Sequence, residues 1–205
     1  MSTEQKHRVL VLLAHPALRR SRVNRRLAAA AIPIDGVTVN DLYQHYPDFD
    51  IDVGREQKLL AEHDVIVMQH PFYWYSTPSI LKEWQDLVLE HGWAYGRDGN
   101  ALEGKLLLTA VSTGATAGAY AEGGSNHFTM PQLLAPIEQT ARLCGMAYLP
   151  PFVIHGTHAL ELEGIDRHAV DYRRLLEGLR DGRFAEDRIA GLDRINADLD
   201  SVMGG

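Results

Sequence analysis

The feature that most constrains this chain is a series of short, continuous apolar runs, each followed by a segment of helical periodicity. "RVLVLLA" (8–14), "VTVNDL" (37–42), "DVIVMQH" (64–70), "KLLLTAVST" (105–113) and "AYLPPFVIH" (147–155) are rich in β-favouring residues. The first, third and fourth scarcely alternate with polar residues, as expected of strands covered on both faces. Between them lie helix-favouring stretches: "RVNRRLAAAAI", with Val23, Leu27 and Ala30 or Ala31 on one stripe; the short "REQKLLAEH"; and "PSILKEWQDLVLEHG", where Leu81, Trp84 and Val88 share a face. "PQLLAPIEQTARLCG" and "DRHAVDYRRLLEGLRDG" complete the set. Alternating βα units predict an α/β fold with a mainly parallel sheet, helices on both faces and right-handed crossovers. The fifth strand is predicted to start after a kink at Pro150 and Pro151, because proline cannot donate a ladder bond.

At 205 residues the chain is long enough for one sizeable core and does not require two. A formal charge of −7 argues against a nucleic-acid partner, since the arginines cluster only around Arg19 to Arg26. The N-terminal apolar run is too short for a membrane span and reads as a strand, not a signal peptide. Cys144 is the single cysteine, which suits a reducing, cytoplasmic setting. Ten scattered histidines form no metal-ligand spacing, so no metal is expected. The last segment, 184–205, places Ile189, Leu192, Ile195 and Leu199 three to four apart and predicts an amphipathic helical extension to a domain spanning 1–183. Packing on its own body or on a second subunit is the ordinary reading of that stripe, and docking of another protein the alternative.

In an open parallel sheet, ligands bind beyond the carboxyl ends of the strands where strand order reverses. Three loops there are unusual. "AHPALRRSRVN" lacks the G-x-G-x-x-G of a dinucleotide turn, yet sets Ser21 at a helix start beside His15, Arg19, Arg20 and Arg22, an anion site that a single phosphate monoester would fit. "PFYWYSTP" offers four adjacent aromatics, Phe72 to Tyr75, a bed for a flat heteroaromatic ring. "VSTGATAGAY" lets backbone come close to a ligand and adds the hydroxyls of Ser112 and Thr113. Taken singly, each has an ordinary reading: a serine cap, interface packing, a flexible connection. Together at one rim they point to an FMN site.

"AHPALRRSRVN", "DLYQHYPDFDID", "VIVMQHPFYWYSTPSILKEWQDLVLEHGWAYG", "LEGKLLLTAVSTG" and "YLPPFVIHG" resemble the flavodoxin-like NAD(P)H:quinone oxidoreductase family, and within it the ancillary proteins of glutathione-regulated potassium-efflux systems. The resemblance runs from Arg8 to Leu179. It implies a flavodoxin-like five-stranded sheet of order 2-1-3-4-5, non-covalent FMN, a homodimer, and reduction of quinones by NADH or NADPH. It assigns FMN contacts to His15, Ser21, Arg22, Val23 and Asn24, to Phe72, Tyr73, Trp74 and Tyr75, and to Ser112, Thr113, Gly114 and Ala115. Ala115 stands where the family has glycine. Tyr120 and His127 lie near the positions of a catalytic tyrosine and histidine, with spacing one residue longer; His127 reads equally as a loop histidine near the dimer interface.

One flavin face and one switch point predict ping-pong turnover, with N–H donors of the Ser112 to Ala115 turn meeting the charge that develops on the ring. The phosphate loop alone leaves FAD open. The branch also implies a second role, a regulatory subunit that binds a potassium–proton antiporter at the inner face of the membrane. A one-electron flavodoxin carrier is the weakest rival, because such a carrier needs no open face for a hydride donor.

Overall fold

The computed structural model describes residues 6–184, 186–189 and 191–203. The first five residues of the predicted 1–183 domain, and Ala185, Ala190, Gly204 and Gly205 of the predicted extension, lie outside them.

β1 (Val9–Leu13) is buried at every position. It pairs in parallel with β2 (Val37–Asp41) through Val9 opposite Val37, and with β3 (Val65–Pro71) through Val9 opposite Val65. β3 pairs in turn with β4 (Leu106–Ser112). Beyond β4 the fifth position is shared by two short pieces, β5 (Ala147–Tyr148) and β6 (Phe152–Ile154), both paired with β4. The order is therefore 2-1-3-4-5, with the fifth strand interrupted; it runs on both sides of Pro150 and Pro151 rather than starting after them. Proline has no N–H to give the ladder, and the two together break it for one step.

Strand side chains alternate between faces, and two cores result. Leu10 and Leu12 join Trp84, Val88 and Leu134 under α3 (Val53–Ala61), α4 (Ser79–Val88) and α5 (Met130–Leu143). Val9 and Val11 join Leu27, Ile165 and Leu175 under α1 (Val23–Ala31) and α6 (Leu162–Arg180). A short helix, α2 (Leu42–His45), follows β2 directly, with Asp41 accepting the Gln44 N–H at 3.2 Å as its cap. At one turn it is too short to show periodicity.

The last segment departs from the sequence expectation. In place of one amphipathic helix, the described residues form α7 (Glu186–Ile189), a 3-10 turn at Ile195–Ala197 and α8 (Leu199–Val202). Gly191 sits at φ 83° and turns the chain out of helical conformation, and Asp198 starts the last helix by accepting the Ser201 N–H. Ile195, Leu199 and Val202 are nonetheless buried in the α1–α6 core, so the apolar stripe packs on the chain's own body. Among the described residues no helix is long and apolar enough to cross a membrane.

Candidate functional site

β1 and β3 are neighbours whose following loops diverge to opposite faces, and the space between those loops opens into a cleft of ≈ 440 Å³. After β1 the chain makes a 3-10 turn, Leu18–Arg20, and then starts α1. Ser21 caps that helix: its hydroxyl accepts the Asn24 N–H at 3.0 Å. The first N–H groups of the nine-residue α1 face the cleft together with Ser21, Arg22, Val23 and Asn24, all of which line it.

Asn24 joins the loops. Its Nδ2 donates to Ser112 Oγ at 2.8 Å, and its carbonyl accepts from Gln69 Nε2 at 3.0 Å, so the ends of β3 and β4 are tied to the start of α1 by buried polar groups. The Arg22 guanidinium donates to the Leu160 carbonyl at 2.7 Å, whereas Arg20, the other arginine of the cleft lining, has no such bond among the described residues. His15 is buried, and its Nδ1 accepts the Ala17 N–H at 3.0 Å. Burial holds its pKa below the usual value, so at neutral pH the ring is neutral with its proton on Nε2, a donor at the cleft wall.

The aromatic stretch divides. Phe72 is anchored by its N–H to the Ser112 carbonyl at 2.8 Å, and Phe72 and Tyr73 line the cleft. Tyr73 and Ser76 exchange two backbone hydrogen bonds, 3.1 and 3.0 Å, and close a two-residue hairpin turn. Its central residues, Trp74 and Tyr75, have φ of 50° and 61°, the left-handed signature of a primed turn. The turn carries both rings away from the cleft: Trp74 is 93% exposed, and the Tyr75 hydroxyl donates to Asn126 at 3.2 Å.

In the third loop Ser112 and Gly114 line the cleft. Thr113 does not: it is buried and its hydroxyl donates to the Ala115 carbonyl at 2.8 Å. The Ala115 carbonyl also accepts the Gly156 N–H at 2.9 Å, so Ala115 braces the turn from behind. A Cβ on Gly114 would lie 2.7 Å from His158 Nε2, too close for any side chain without displacing that ring. Tyr120 stands outside the cleft, its ring packed on Phe72 and His155 at 6.2 and 5.4 Å between centroids. His127 is exposed at φ 61° and is not brought to the cleft.

The loop after β6 supplies two lining residues absent from the sequence expectation, Thr157 and His158. Only the position of "FVIHGTH" after the fifth strand could have suggested them, since the spacing has no recognisable chemistry. Among the described residues no aspartate or glutamate lines the cleft, in a chain with a formal charge of −7. A helix N-terminus, a hydroxyl, a histidine N–H and an arginine together suit a phosphate.

The profile of a family described as flavodoxin-like fold matches residues 7–176. The chain is similar to general stress protein 14 of Bacillus subtilis, 49% identical over 170 residues, covering 83% of this chain and 95% of that one. It is also similar to the glutathione-regulated potassium-efflux system ancillary protein KefG of Serratia proteamaculans, 46% identical over 168 residues, covering 82% and 92%. A solved structure of general stress protein 14 from Treponema denticola, in complex with FMN, superposes with a TM-score of 0.80 at 41% identity, covering 84% of this chain and 99% of that one. An NADPH-quinone reductase from P. pentosaceus superposes with a TM-score of 0.75 at 36% identity, covering 82% and 96%.

Proposed function

We propose, for a chain that belongs to the flavodoxin-like NAD(P)H:quinone oxidoreductase family and within it to the branch of potassium-efflux ancillary proteins, that the cleft holds FMN and that the protein reduces quinones with NAD(P)H. The observation that carries this reading is the acid-free cleft at the open N-terminus of α1, walled by Phe72 and Tyr73 and floored by Ser112 and Gly114. The donor set fits the group. Ser21, the first N–H groups of α1 and Arg20 suit its phosphate, and the His15 Nε2–H faces the same space. Gly114 gives the backbone room beside a ring edge where a Cβ would strike His158. The FMN complex of the Treponema relative favours FMN over FAD.

When bound, FMN supplies the two-electron carrier chemistry that neither quinone nor nicotinamide finds in a protein side chain. The chain's own residues bind, orient and manage protons. Phe72 and Tyr73 give one side of the cleft an aromatic wall on which a flat ring can pack. The turn from Ser112 to Ala115 keeps fixed dipoles where charge develops, braced by the Thr113 hydroxyl and by Gly156. Tyr120 is proposed as the proton donor to the quinone oxygen; burial raises its pKa, so the phenol keeps its proton until substrate arrives. His127, exposed in its loop, takes no step in this reading. One domain with one switch point leaves little room for separate nicotinamide and quinone sites, which supports binding of donor and acceptor in turn, a ping-pong scheme.

The absorption spectrum and mass of the ligand released from denatured protein test the cofactor, and initial-rate patterns with NADH and NADPH test the scheme. Apoprotein that takes up no FMN overturns the first, and intersecting patterns overturn the second.

The ancillary name of the Serratia relative favours a second, compatible role: binding to a glutathione-gated potassium–proton antiporter, which would bring the protein to the inner face of the membrane. Co-purification of an antiporter with a turnover-dead variant separates that role from quinone reduction. Pairing of two copies is part of the same reading. The exposed Trp74, Tyr75 and Phe128 are available for it, and sedimentation of the purified protein checks the stoichiometry.

A further inference from the structure

The segment that follows α6 lies outside the residues matched by the family profile, and it builds a second, smaller pocket of ≈ 110 Å³. Tyr120, Thr129, Val153 and His155 form its wall from the body of the domain, and Asp193 and Arg194 close it from the C-terminal segment. The segment is pinned with some precision. Asn196 Oδ1 accepts the Val153 N–H at 3.0 Å, its Nδ2 donates to the Val153 carbonyl at 2.9 Å, and the Ile195 N–H reaches the Pro151 carbonyl at 2.9 Å. Ile195 itself is fully buried. Arg194 is therefore held next to an anchored residue, half-buried, and among the described residues its guanidinium has no hydrogen-bond or ion-pair partner.

The pocket lies beside the third-loop side of the cleft, where the resemblance would place the flavin ring. Tyr120 packs on Phe72, and His155 Nδ1 lies 3.3 Å from the hydroxyl of Thr113 in the third loop. Because that hydroxyl donates its own proton to Ala115, it accepts from His155 Nδ1–H. His155 is neutral at physiological pH, its pKa pushed down to about 4 by burial, then by Arg194 and His168. The fixed positive charge of the pocket is thus Arg194. Asp193 is exposed, where solvent and salt weaken its repulsion of an anion. At ≈ 110 Å³ against ≈ 440 Å³ for the cleft, the pocket suits a small anionic substituent such as a carboxylate rather than a nucleotide.

We propose that Arg194 is a specificity-determining residue that receives a carboxylate carried on the ring of the electron acceptor, so that acidic quinones are preferred over neutral ones. The identity of the acceptor as a quinone rests on the function proposed above; the presence of an anion-selecting pocket does not.

The test uses FMN-loaded protein and two redox-stable ring products, hydroquinone and 2,5-dihydroxybenzoate, with binding read by calorimetry. Wild type is expected to bind the acid about 10-fold or more tightly than hydroquinone, the effect of one charge-assisted hydrogen bond. Arg194→Gln should abolish that difference while changing hydroquinone binding by less than about 2-fold, and Arg194→Lys should keep part of it. Unchanged FMN content and melting temperature establish that the variants are folded. Equal binding of the two rings by wild type, no measurable binding of either, or a preference that survives Arg194→Gln overturns the proposal. Turnover of benzoquinone and its carboxylated form is measured alongside. If wild type reduces neither yet still discriminates in binding, quinone reduction fails and the pocket stands.

Discussion

Ser21 carries two duties that substitution can separate. Its oxygen caps α1 through the Asn24 N–H, and its proton remains available to a ligand in the cleft. Ser21→Ala should cost about 1 kcal/mol of stability in urea unfolding, whereas Ser21→Gly should cost only a few tenths. Both should weaken FMN binding by about 10-fold in a fluorescence titration of apoprotein, because both remove the hydroxyl. An affinity that follows the stability change instead would show that the serine serves the helix alone. Trp74 and Tyr75 raise the opposite question, of residues placed against their own preference. Asn-Gly is the usual pair for a turn with two left-handed residues, and bulky side chains there cost of order 1–3 kcal/mol each. Trp74→Asn with Tyr75→Gly should therefore raise the unfolding free energy in urea, and with it the midpoint, by about 1–2 kcal/mol, less the lost Tyr75–Asn126 bond. FMN affinity should hardly change, because neither ring lines the cleft. A lower midpoint would mean that the two rings stabilise the turn more than their backbone strains it.

β3 shows how one element can be plain in sequence and still hide its polar load. All seven of its residues are buried, and they include Gln69 and His70. His70 Nδ1 donates to the Pro71 carbonyl at 2.9 Å, while Nε2 is buried without a partner among the described residues. A second proton would have no acceptor, and burial pushes the pKa down to about 4 from 6.5. The folded state thus refuses a proton that the unfolded chain accepts. The full stability is present above pH 6.5, falls as pH drops from 6.5 to 4, and levels off below 4, a loss of about 3 kcal/mol. His70→Leu should make that limb of the stability–pH curve shallower, measured by urea unfolding between pH 4 and 7, with the other histidines that burial holds low, such as His155, keeping the remainder; an unchanged limb would assign it to those groups. The strands were legible because burial on both faces leaves a continuous apolar run, as in Val9 to Leu13. Ser21, Phe72 and Gly114 were legible because capping, aromatic clustering and lost Cβ atoms leave local marks. Thr157 and His158 left none, since their place in the cleft depends on how β6 aligns with β4. The C-terminal stripe was legible as apolar periodicity, yet its continuity was not, because the break rests on the backbone angle of Gly191.

At the scale of the molecule, the C-terminal segment answers a problem every open sheet has. β6 lies at an edge, and an edge strand exposes backbone groups ready to pair with another chain. Here the Asn196 side-chain amide takes the place of one residue of a sixth strand, satisfying both backbone groups of Val153, while Ile195, Leu199 and Val202 cover the core beneath. Covering the edge also sets Arg194 beside His155 and Tyr120, so edge protection and acceptor selection share one anchor. Asn196→Ala removes two hydrogen bonds and strands the Val153 N–H and C=O. It should lower stability by about 2 kcal/mol with little change in the urea m-value, because the buried core residues remain. The same substitution should erode the preference for an acidic ring without touching the charge of Arg194, since a guanidinium on a loosened segment spends less time in the pocket. FMN affinity is the control and should stay within about 2-fold, as Asn196 does not line the cleft. If stability falls and the acid preference persists in full, the anchor and the selectivity are independent, and Arg194 is positioned by its own packing rather than by the edge that Asn196 seals.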